Sequence, residues 1–242
     1  MHSLMKIKNL KHYLVNLSKF AYRRFLLENK DLMAMQYLSP LSEVYLPWTS
    51  YAIRPSGLVT IINEIIINNR TNILECGGGI STIYIAKILK TRGGHLYTIE
   101  HDQNWLRELQ KQLEKQDLAC CVSLIAAPLE DCPYSFSQSD RSLWYSLDIL
   151  KKALEGIEID LLLVDGPPAS QKKFQYVRYP AVPFLKQYFA SDYGVILDDI
   201  DRSGEQKIAR KWQEELNVNF KKYLLKGGIA IAHSQPKSMS LL

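Results

Sequence analysis

The stretch Asn72-Ile-Leu-Glu-Cys-Gly-Gly-Gly-Ile-Ser-Thr82 decides how this chain folds. A short apolar run ends at Glu75, three glycines follow, and a segment with helical spacing runs from Ser81 to Lys90. Glycines permit the positive φ angles of a tight turn and let a ligand approach bare backbone. The pattern therefore predicts a strand, a tight turn and a helix, with either a plain connection or a nucleotide-type site at the turn.

Strand-like and helix-like segments alternate along the rest of the chain, which predicts an α/β protein with a Rossmann-like, doubly wound parallel sheet and helices on both faces. The apolar run 159–165 has the composition of a central strand. The segment 128–145 is rich in proline, serine and aromatic residues and is predicted to be a loop. Segments 220–225 and 229–233 are spaced as a C-terminal antiparallel hairpin. The other predicted strands are 95–100, 121–127 and 194–199, and the other predicted helices are 58–69, 104–115, 179–189 and 206–216.

Residues 1–50 are predicted to form an N-terminal helical extension, and residues 51–242 the main domain. Apolar side chains recur at three- and four-residue steps between Leu4 and Tyr37, with lysines and arginines between them. Such a helix is most often a cap on the main domain, but residues 1–37 also suit peripheral contact with an anionic membrane, a lid or the contact of a homodimer. No apolar run is long enough to span a bilayer, and lysines interrupt the region of a secretory signal, so we expect a cytoplasmic protein.

The charge of the chain is concentrated at its N-terminus. Residues 1–37 hold seven lysines and arginines against two acids, whereas the remainder holds 23 basic and 23 acidic residues. Phosphate backbones require a basic footprint on the binding domain itself, so we expect no nucleic-acid partner. The four cysteines lack the spacing of a zinc site or a disulfide framework, and we expect them to be reduced.

Acidic side chains end four of the predicted parallel strands, at the edge of the sheet where α/β proteins bind ligands. Glu100 lies twenty-one residues after Gly79, a spacing at which an acid can accept both hydroxyls of a ribose. Taken alone, Glu100 could equally be a surface carboxylate, but beside the glycine turn the ribose interpretation is favoured. The acids at strand ends are Glu75, Glu100, Asp165, Asp198 and Asp199.

The residues around the glycines narrow the class of nucleoside ligand. A phosphate-binding P-loop needs a lysine that Gly79-Ile-Ser81 lacks, and a dinucleotide fold needs glycine where Thr82 stands. Glu75 would oppose a pyrophosphate but suits a ligand with a cationic amine. S-adenosylmethionine has such an amine and a positive sulfonium.

Six motifs together resemble class I S-adenosylmethionine-dependent methyltransferases, over roughly Pro55 to Ser234. The Val-Asp-Gly-Pro-Pro run is similar to that of a bacterial group within the family. The resemblance implies a seven-stranded sheet whose last strand is antiparallel. The motifs are Glu75-Cys-Gly-Gly-Gly, Glu100-His-Asp, Ala127-Pro-Leu, Val164-Asp-Gly-Pro-Pro, Arg178-Tyr-Pro-Ala and Leu197-Asp-Asp-Ile-Asp-Arg202.

The same resemblance implies which residues would bind the cofactor. The family often has an acid directly after the third strand that holds the adenine amine, but Ala127-Pro-Leu129 has none, so backbone contacts are expected there. The implied cofactor-binding residues are Glu75, Gly77 and Gly79 at the methionine end with Ser81 beside them, Glu100 at the ribose, His101, Pro128 and Leu129 at the adenine, and Asp165 near the amine.

Asp165, Asp198 and Asp199 carry a second resemblance, to metal-dependent O-methyltransferases of the catechol and macrolide-sugar type. It implies that these three carboxylates hold a divalent cation such as Mg²⁺, which would lower the pKa of an acceptor hydroxyl. In the alternative, Asp165 serves the cofactor's amine, while Asp198 and Asp199 make loop hydrogen bonds or pair with Arg178 or Arg202.

The sequence thus predicts an S-adenosylmethionine-dependent methyltransferase that methylates a hydroxyl of a small molecule or sugar. Asp199 is the first candidate for a catalytic base and Asp165 the second. One alternative is an NAD(P)-dependent oxidoreductase, and another is a non-catalytic binding protein that retains the Rossmann-like fold. Four loop residues are candidates for an acceptor pocket or plain loop anchors: Trp144, Tyr145, Arg178 and Tyr179.

Overall fold

The computed structural model describes residues 2–42, 44–46, 48–49, 51–137, 142–224 and 228–236, and for residues 2–17, 20 and 23 it describes the backbone alone. Strands and helices alternate through most of this range. The helices are α1 (His2–Leu38), α2 (Pro55–Ile67), α3 (Ile80–Arg92), α4 (Gln103–Lys115), α5 (Leu147–Ala153), α6 (Ala181–Leu185) and α7 (Ser203–Leu216). The strands are β1 (Asn72–Cys76), β2 (His95–Glu100), β3 (Val122–Ala126), β4 (Leu129–Asp131), β5 (Leu143–Tyr145), β6 (Ile159–Val164), β7 (Phe189–Leu197), β8 (Lys221–Tyr223) and β9 (Ile229–His233).

Seven of these strands form one sheet in the order β3-β2-β1-β6-β7-β9-β8. The first five pair in parallel, β9 runs antiparallel to β7, and β8 runs antiparallel to β9. The predicted fold, a Rossmann-like seven-stranded sheet with a C-terminal antiparallel hairpin and N-terminal helices, is confirmed. The strand order reverses between β1 and β6, and ligands of such sheets bind beyond the strand ends at that point.

Two apolar clusters cover the two faces of the sheet. Successive side chains of a strand point to opposite faces, so Ile73 packs with α2 and α3 while Leu74 packs with α5, α6 and α7. In β6 the residues from Leu161 to Val164 are all 0% exposed, which is the burial on both faces expected of a central parallel strand. This sandwich holds the strand ends, and with them the candidate site, in fixed positions.

The N-terminal extension is one helix of 37 residues, α1, whose C-terminal part contacts the body. Ala34 and Leu38 are buried in the same cluster as α2 and α3. The Asp31 carboxylate pairs with Arg54 and accepts hydrogen bonds from the Ser56 backbone N–H at 3.1 Å and the Ser56 hydroxyl at 2.6 Å. The predicted boundary after residue 50 stays a prediction. Among the described residues, every helix is too short or too polar to cross a membrane.

The prediction of a loop over residues 128–145 is wrong in part, because β4 and β5 pair there as a separate antiparallel sheet. Three-residue strands are too short to show a two-residue periodicity, so proline and serine dominated the pattern. The helix predicted over 179–189 is also shorter, since α6 ends at Leu185 and a 3₁₀ turn, Lys186–Tyr188, leads into β7. Helix α5 was not predicted.

Candidate functional site

The glycine turn lies at the switch point of the sheet, pressed against the turn that follows β6. Gly77 has φ +92°, and a Cβ there would meet the Gly166 nitrogen at 2.9 Å. The Cys76 carbonyl oxygen accepts the N–H groups of Asp165 and Gly166, at 3.0 and 2.6 Å. At Gly79, by contrast, the nearest atom to an added Cβ is the Ser81 Oγ at 4.0 Å, so the space above the start of α3 is open.

Glu75 is the last residue but one of β1 and is fully buried behind the turn. Its carboxylate accepts hydrogen bonds from three hydroxyls, those of Ser81 and Thr82 at 2.5 Å and of Thr98 at 3.0 Å. Burial raises the pKa of Glu75 to about 7, although the three hydroxyls lower it in part. The structure thus places Glu75 and Ser81 together beside the glycine turn. Their predicted contact with the cofactor stays a prediction.

Glu100 ends β2 and joins the glycine turn to the start of α4. Its Oε2 accepts the Gly78 N–H at 3.2 Å, and its Oε1 accepts the N–H groups of His101 and Asp102, both at 2.7 Å. The His101 Nδ1 lies 2.8 Å from the same Oε1, and this close carboxylate raises the pKa of His101 against the effect of burial. The carboxylate is therefore held at the end of β2 against the glycine turn. Its predicted role at the ribose stays a prediction.

The predicted adenine segment lies at the same edge of the sheet. The Ala127 N–H donates to the Glu100 carbonyl at 3.0 Å, and the Pro128 carbonyl accepts the Ser146 N–H at 2.9 Å. Pro128 is exposed and Leu129 is half-buried. No acid side chain stands between Ala127 and Leu129, so backbone is what this segment offers to a ligand.

The structure also brings together the three aspartates that follow β6 and β7. One carboxylate oxygen from each of Asp165, Asp198 and Asp199 lies within 4.8 Å of the others. Burial raises the pKa of Asp165 to about 6, against the lowering effect of Arg178. Burial, with the charges of the other two aspartates, raises the pKa of Asp198 well above its usual range. A positive charge next to these three carboxylates would therefore stabilise their ionised forms.

Arg178 lies within this group of acids with its side chain 4% exposed. Its Nη1 donates to Asp199 Oδ2 at 3.0 Å, and its Nη2 is 3.2 Å from Asp165 Oδ1 and also contacts the Asp165 carbonyl. Its Nε donates to the Pro167 carbonyl at 3.2 Å. Oxygen ligands of this kind suit Mg²⁺. The guanidinium bonds one oxygen of Asp165 and one of Asp199, so it competes with a metal ion for these two carboxylates. The predicted metal site stays a prediction.

Other residues of the site were not predicted from the sequence. Thr98 faces Glu75 because the two residues are register partners across β1 and β2, which no sequence pattern shows. Glu205 is buried at the start of α7, 4.0 Å from Arg178 Nη1, and burial raises its pKa to about 7. The Trp105 Nε1 donates to the Gly78 carbonyl at 2.7 Å.

The aromatic candidates for the acceptor pocket are mostly packed in the core. Trp144 and Tyr145 are 0% and 1% exposed, and both belong to the cluster under α5, α6 and α7. The Tyr179 hydroxyl donates to Glu215 at 2.6 Å, on the side of α7. These contacts favour the alternative in which the aromatic residues anchor the structure.

Comparisons with known proteins identify the fold and no closer relationship. Protein-family models give no match to the chain, and curated proteins give none either. Among solved structures, a Staphylococcus aureus protein provisionally named a caffeoyl-CoA O-methyltransferase superposes with TM-score 0.57 and 18% identity, over 87% of this chain and 98% of the other. An O-methyltransferase from Bacillus cereus in complex with S-adenosylhomocysteine gives 0.54 and 16%, over 85% and 90%. The S-adenosylhomocysteine-bound Podospora anserina methyltransferase PaMTH1 gives 0.56 and 14%, over 86% of each chain.

Proposed function

We propose that this protein is an S-adenosylmethionine-dependent methyltransferase acting on a hydroxyl group of a small molecule or sugar. The observation that carries the proposal is the position of Glu100, a buried carboxylate at the end of β2 that touches the glycine turn at the switch point. The hydroxyls of a ribose in that position would donate to the Glu100 carboxylate in place of the backbone N–H groups that it now accepts. Two structures with this fold contain S-adenosylhomocysteine, which agrees with the proposal.

Thr82 supports this class of ligand over a dinucleotide. Its hydroxyl donates to Glu75 at 2.5 Å and accepts the Gly79 N–H at 2.9 Å, so the last N–H of the glycine turn is already used. A dinucleotide fold would need a glycine at this position and free N–H groups for the pyrophosphate. The fully buried Glu75 adds negative potential at the same place.

The chain's own residues would bind the cofactor, orient the acceptor and take up the proton that the acceptor hydroxyl loses. S-adenosylmethionine would supply a methyl group on a positively charged sulfur. The open backbone at Gly79 and the carboxylate of Glu100 would fix the cofactor, with His101, Pro128 and Leu129 at its base. Orientation of the two reactants can contribute on the order of 7–11 kcal/mol, so most of the work is positioning. Asp199 and Asp165, 25% and 17% exposed, are the carboxylates that would accept the acceptor's proton.

Transfer of a labelled methyl group from S-adenosylmethionine to a panel of hydroxylated small molecules and sugars tests the proposal. We expect at least one acceptor to be methylated by the native chain and not by Glu100→Ala, while Glu108→Ala, an exposed residue of α4, behaves as the native chain. Quenching of tryptophan fluorescence by NADH and not by S-adenosylhomocysteine would instead favour the oxidoreductase. Binding without transfer to any acceptor would favour the non-catalytic protein.

A further inference from the structure

The cluster of Asp165, Asp198 and Asp199 in the candidate site already contains a fixed cation, Arg178. The guanidinium of Arg178 uses all three of its nitrogens on groups that follow β6 and β7, namely the Pro167 and Asp165 carbonyls and the carboxylates of Asp165 and Asp199. With 4% of the side chain exposed, these are desolvated, charge-assisted contacts in a planar arrangement that arginine alone can make.

A second arginine, Arg202, adds a positive charge beside Asp199. Arg202 Nη1 lies 2.7 Å from Asp199 Oδ2, the same oxygen that Arg178 Nη1 binds, and 3.9 Å from Glu205 Oε1. Asp199 has φ +58°, a backbone conformation that non-glycine residues rarely adopt, and aspartate is among those that tolerate it. The turn Asp199–Arg202, closed by the Arg202 N–H to the Asp199 carbonyl at 2.9 Å, holds the acid and the arginine together.

The geometry points to Arg178 and Arg202 as the replacement for a divalent cation, so that the chain performs its reaction without a metal. This inference rests on the proposed function for its catalytic meaning. Two guanidiniums carry the same total charge as one Mg²⁺ ion. A cation bound by Asp165 and Asp199 would lie directly beside Arg178, which is within 3.2 Å of both carboxylates, and the like charges would repel.

The inference assigns a positioning role to Arg178. It ties the turn after β6 to the turn after β7, since its contacts reach Pro167 and Asp165 on one side and Asp199 on the other. The two carboxylates that are candidates for the base are thereby held at a fixed separation without a coordinated metal. Arg202, 40% exposed, would screen the outer side of the same pair.

Paramagnetic resonance of Mn²⁺ tests the inference directly, because bound Mn²⁺ no longer contributes to the signal of the free ion. With the native full chain, previously treated with chelator, we expect the free Mn²⁺ signal to be unchanged by the protein. With Arg178→Gln, Asp165 and Asp199 lose the buried guanidinium and the partly exposed Arg202 remains at Asp199. We therefore expect the free signal to fall and the thermal midpoint to rise on adding Mn²⁺ or Mg²⁺. The control is Arg210→Gln, which removes an exposed arginine of α7 that donates to the Gln206 carbonyl at 3.4 Å, and this variant should behave as the native chain.

Stoichiometric binding of Mn²⁺ by the native chain, lost in Asp198→Asn, would overturn the inference and restore the predicted metal site. If Arg178→Gln does not fold, the native titration and Arg202→Gln, whose arginine is partly exposed, decide the question. Calorimetric titration of S-adenosylhomocysteine into the same samples separates this result from the proposed function. Failure to bind that ligand counts against the methyltransferase and leaves the Mn²⁺ result as it stands.

Discussion

At the scale of single residues, Glu75 combines full burial with three hydrogen-bonding hydroxyls. Ser81 and Thr82 donate from α3 and Thr98 from β2, and Asp165 adds negative potential from the turn after β6. Because burial is the largest influence, the pKa in the folded chain is about 7 rather than the ordinary 4.5. The folded state therefore binds a proton on Glu75 more tightly than the unfolded state does.

This pKa shift predicts a pH-dependent effect of Glu75→Gln. The stability that the protonated carboxyl contributes is fully present below about pH 4.5 and is lost as pH rises through about 7. The neutral amide has no such loss. The difference in free energy of unfolding, variant minus native, should therefore be larger at pH 8 than at pH 5 by on the order of 1–3 kcal/mol. Urea titrations at both pH values measure this gain. Glu108→Gln, on the exposed face of α4, should show none, and an equal difference at both pH values for Glu75→Gln would refute the assignment.

Tyr145 permits a second test at this scale. Its hydroxyl is buried without a hydrogen-bond partner among the described residues, and it occupies the space that a Cβ on Gly166 would need. Removing a buried, unpartnered hydroxyl relieves a desolvation penalty, so Tyr145→Phe should leave the free energy of unfolding unchanged or raise it by about 1 kcal/mol. Tyr179→Phe breaks the bond to Glu215 and should lower it by about 1 kcal/mol. A loss in Tyr145→Phe as large as in Tyr179→Phe, measured by denaturant titration, would contradict the expectation.

The residue types of the site were predictable, but their contacts were not. Five acids could be identified from the sequence because each lies at or directly after the end of a strand, and strand ends share one edge of a parallel sheet: Glu75, Glu100, Asp165, Asp198 and Asp199. What each acid binds depends on register and on turns remote in sequence. The pairing of Thr98 with Glu75, and the approach of Arg178 to two aspartates, are set by the assembled sheet.

At the scale of elements, the turns after β1 and β6 work as one unit. A Cβ on Gly77 would meet backbone atoms of Gly166 at 2.9 and 3.0 Å, and backbone cannot rotate away as a side chain can. These two glycines thus let the two turns approach each other closely at the switch point.

Alanine replacements at Gly77 and Gly156 should distinguish the energetic cost of this close approach from the cost of a positive φ angle alone. Gly77→Ala and Gly156→Ala both place a side chain at positive φ, +92° and +73°, at a cost of about 1–2 kcal/mol each. Gly156 has no atom within 4 Å of its Cβ position, so only Gly77→Ala adds an overpacking cost of about 1–3 kcal/mol. Denaturant unfolding of both variants measures the difference, and equal losses would show that the two turns are not packed as described.

Element prediction succeeded where periodicity was long and failed where it was short. The run 159–165 was recognisable as a central strand because every residue of β6 except Asp160 is buried. The three-residue strands β4 and β5 carry no such signal, and their pairing of Leu129 with Tyr145 depends on contacts across a segment that includes residues 138–141, which lie outside the description. Short elements in this chain are thus defined by tertiary packing.

At the scale of the whole molecule, the Asp31 carboxylate fastens the N-terminal helix to the body beside the buried side chains of Ala34 and Leu38. Asp31 caps the start of α2 through Ser56 and pairs with Arg54, so Asp31→Ala should lower the free energy of unfolding by about 1–2 kcal/mol. It should also speed proteolytic cleavage within α1. Glu28→Ala removes only an exposed pair with Arg24 and should cost at most about 0.5 kcal/mol. Similar losses in the two variants would mean that α1 is held mainly by other contacts.

The central claim is that the open backbone at the glycine turn, with Glu100 beside it, binds S-adenosylmethionine. Calorimetric titration of S-adenosylhomocysteine into the native chain, Glu100→Ala and Glu108→Ala tests it most directly. We predict one site in the native chain and in Glu108→Ala, and an affinity reduced about ten- to a hundredfold in Glu100→Ala, since hydrogen bonds to a charged carboxylate are lost. Absence of binding heat in a native chain whose circular dichroism shows an intact fold, or equal affinities in all three proteins, would contradict it.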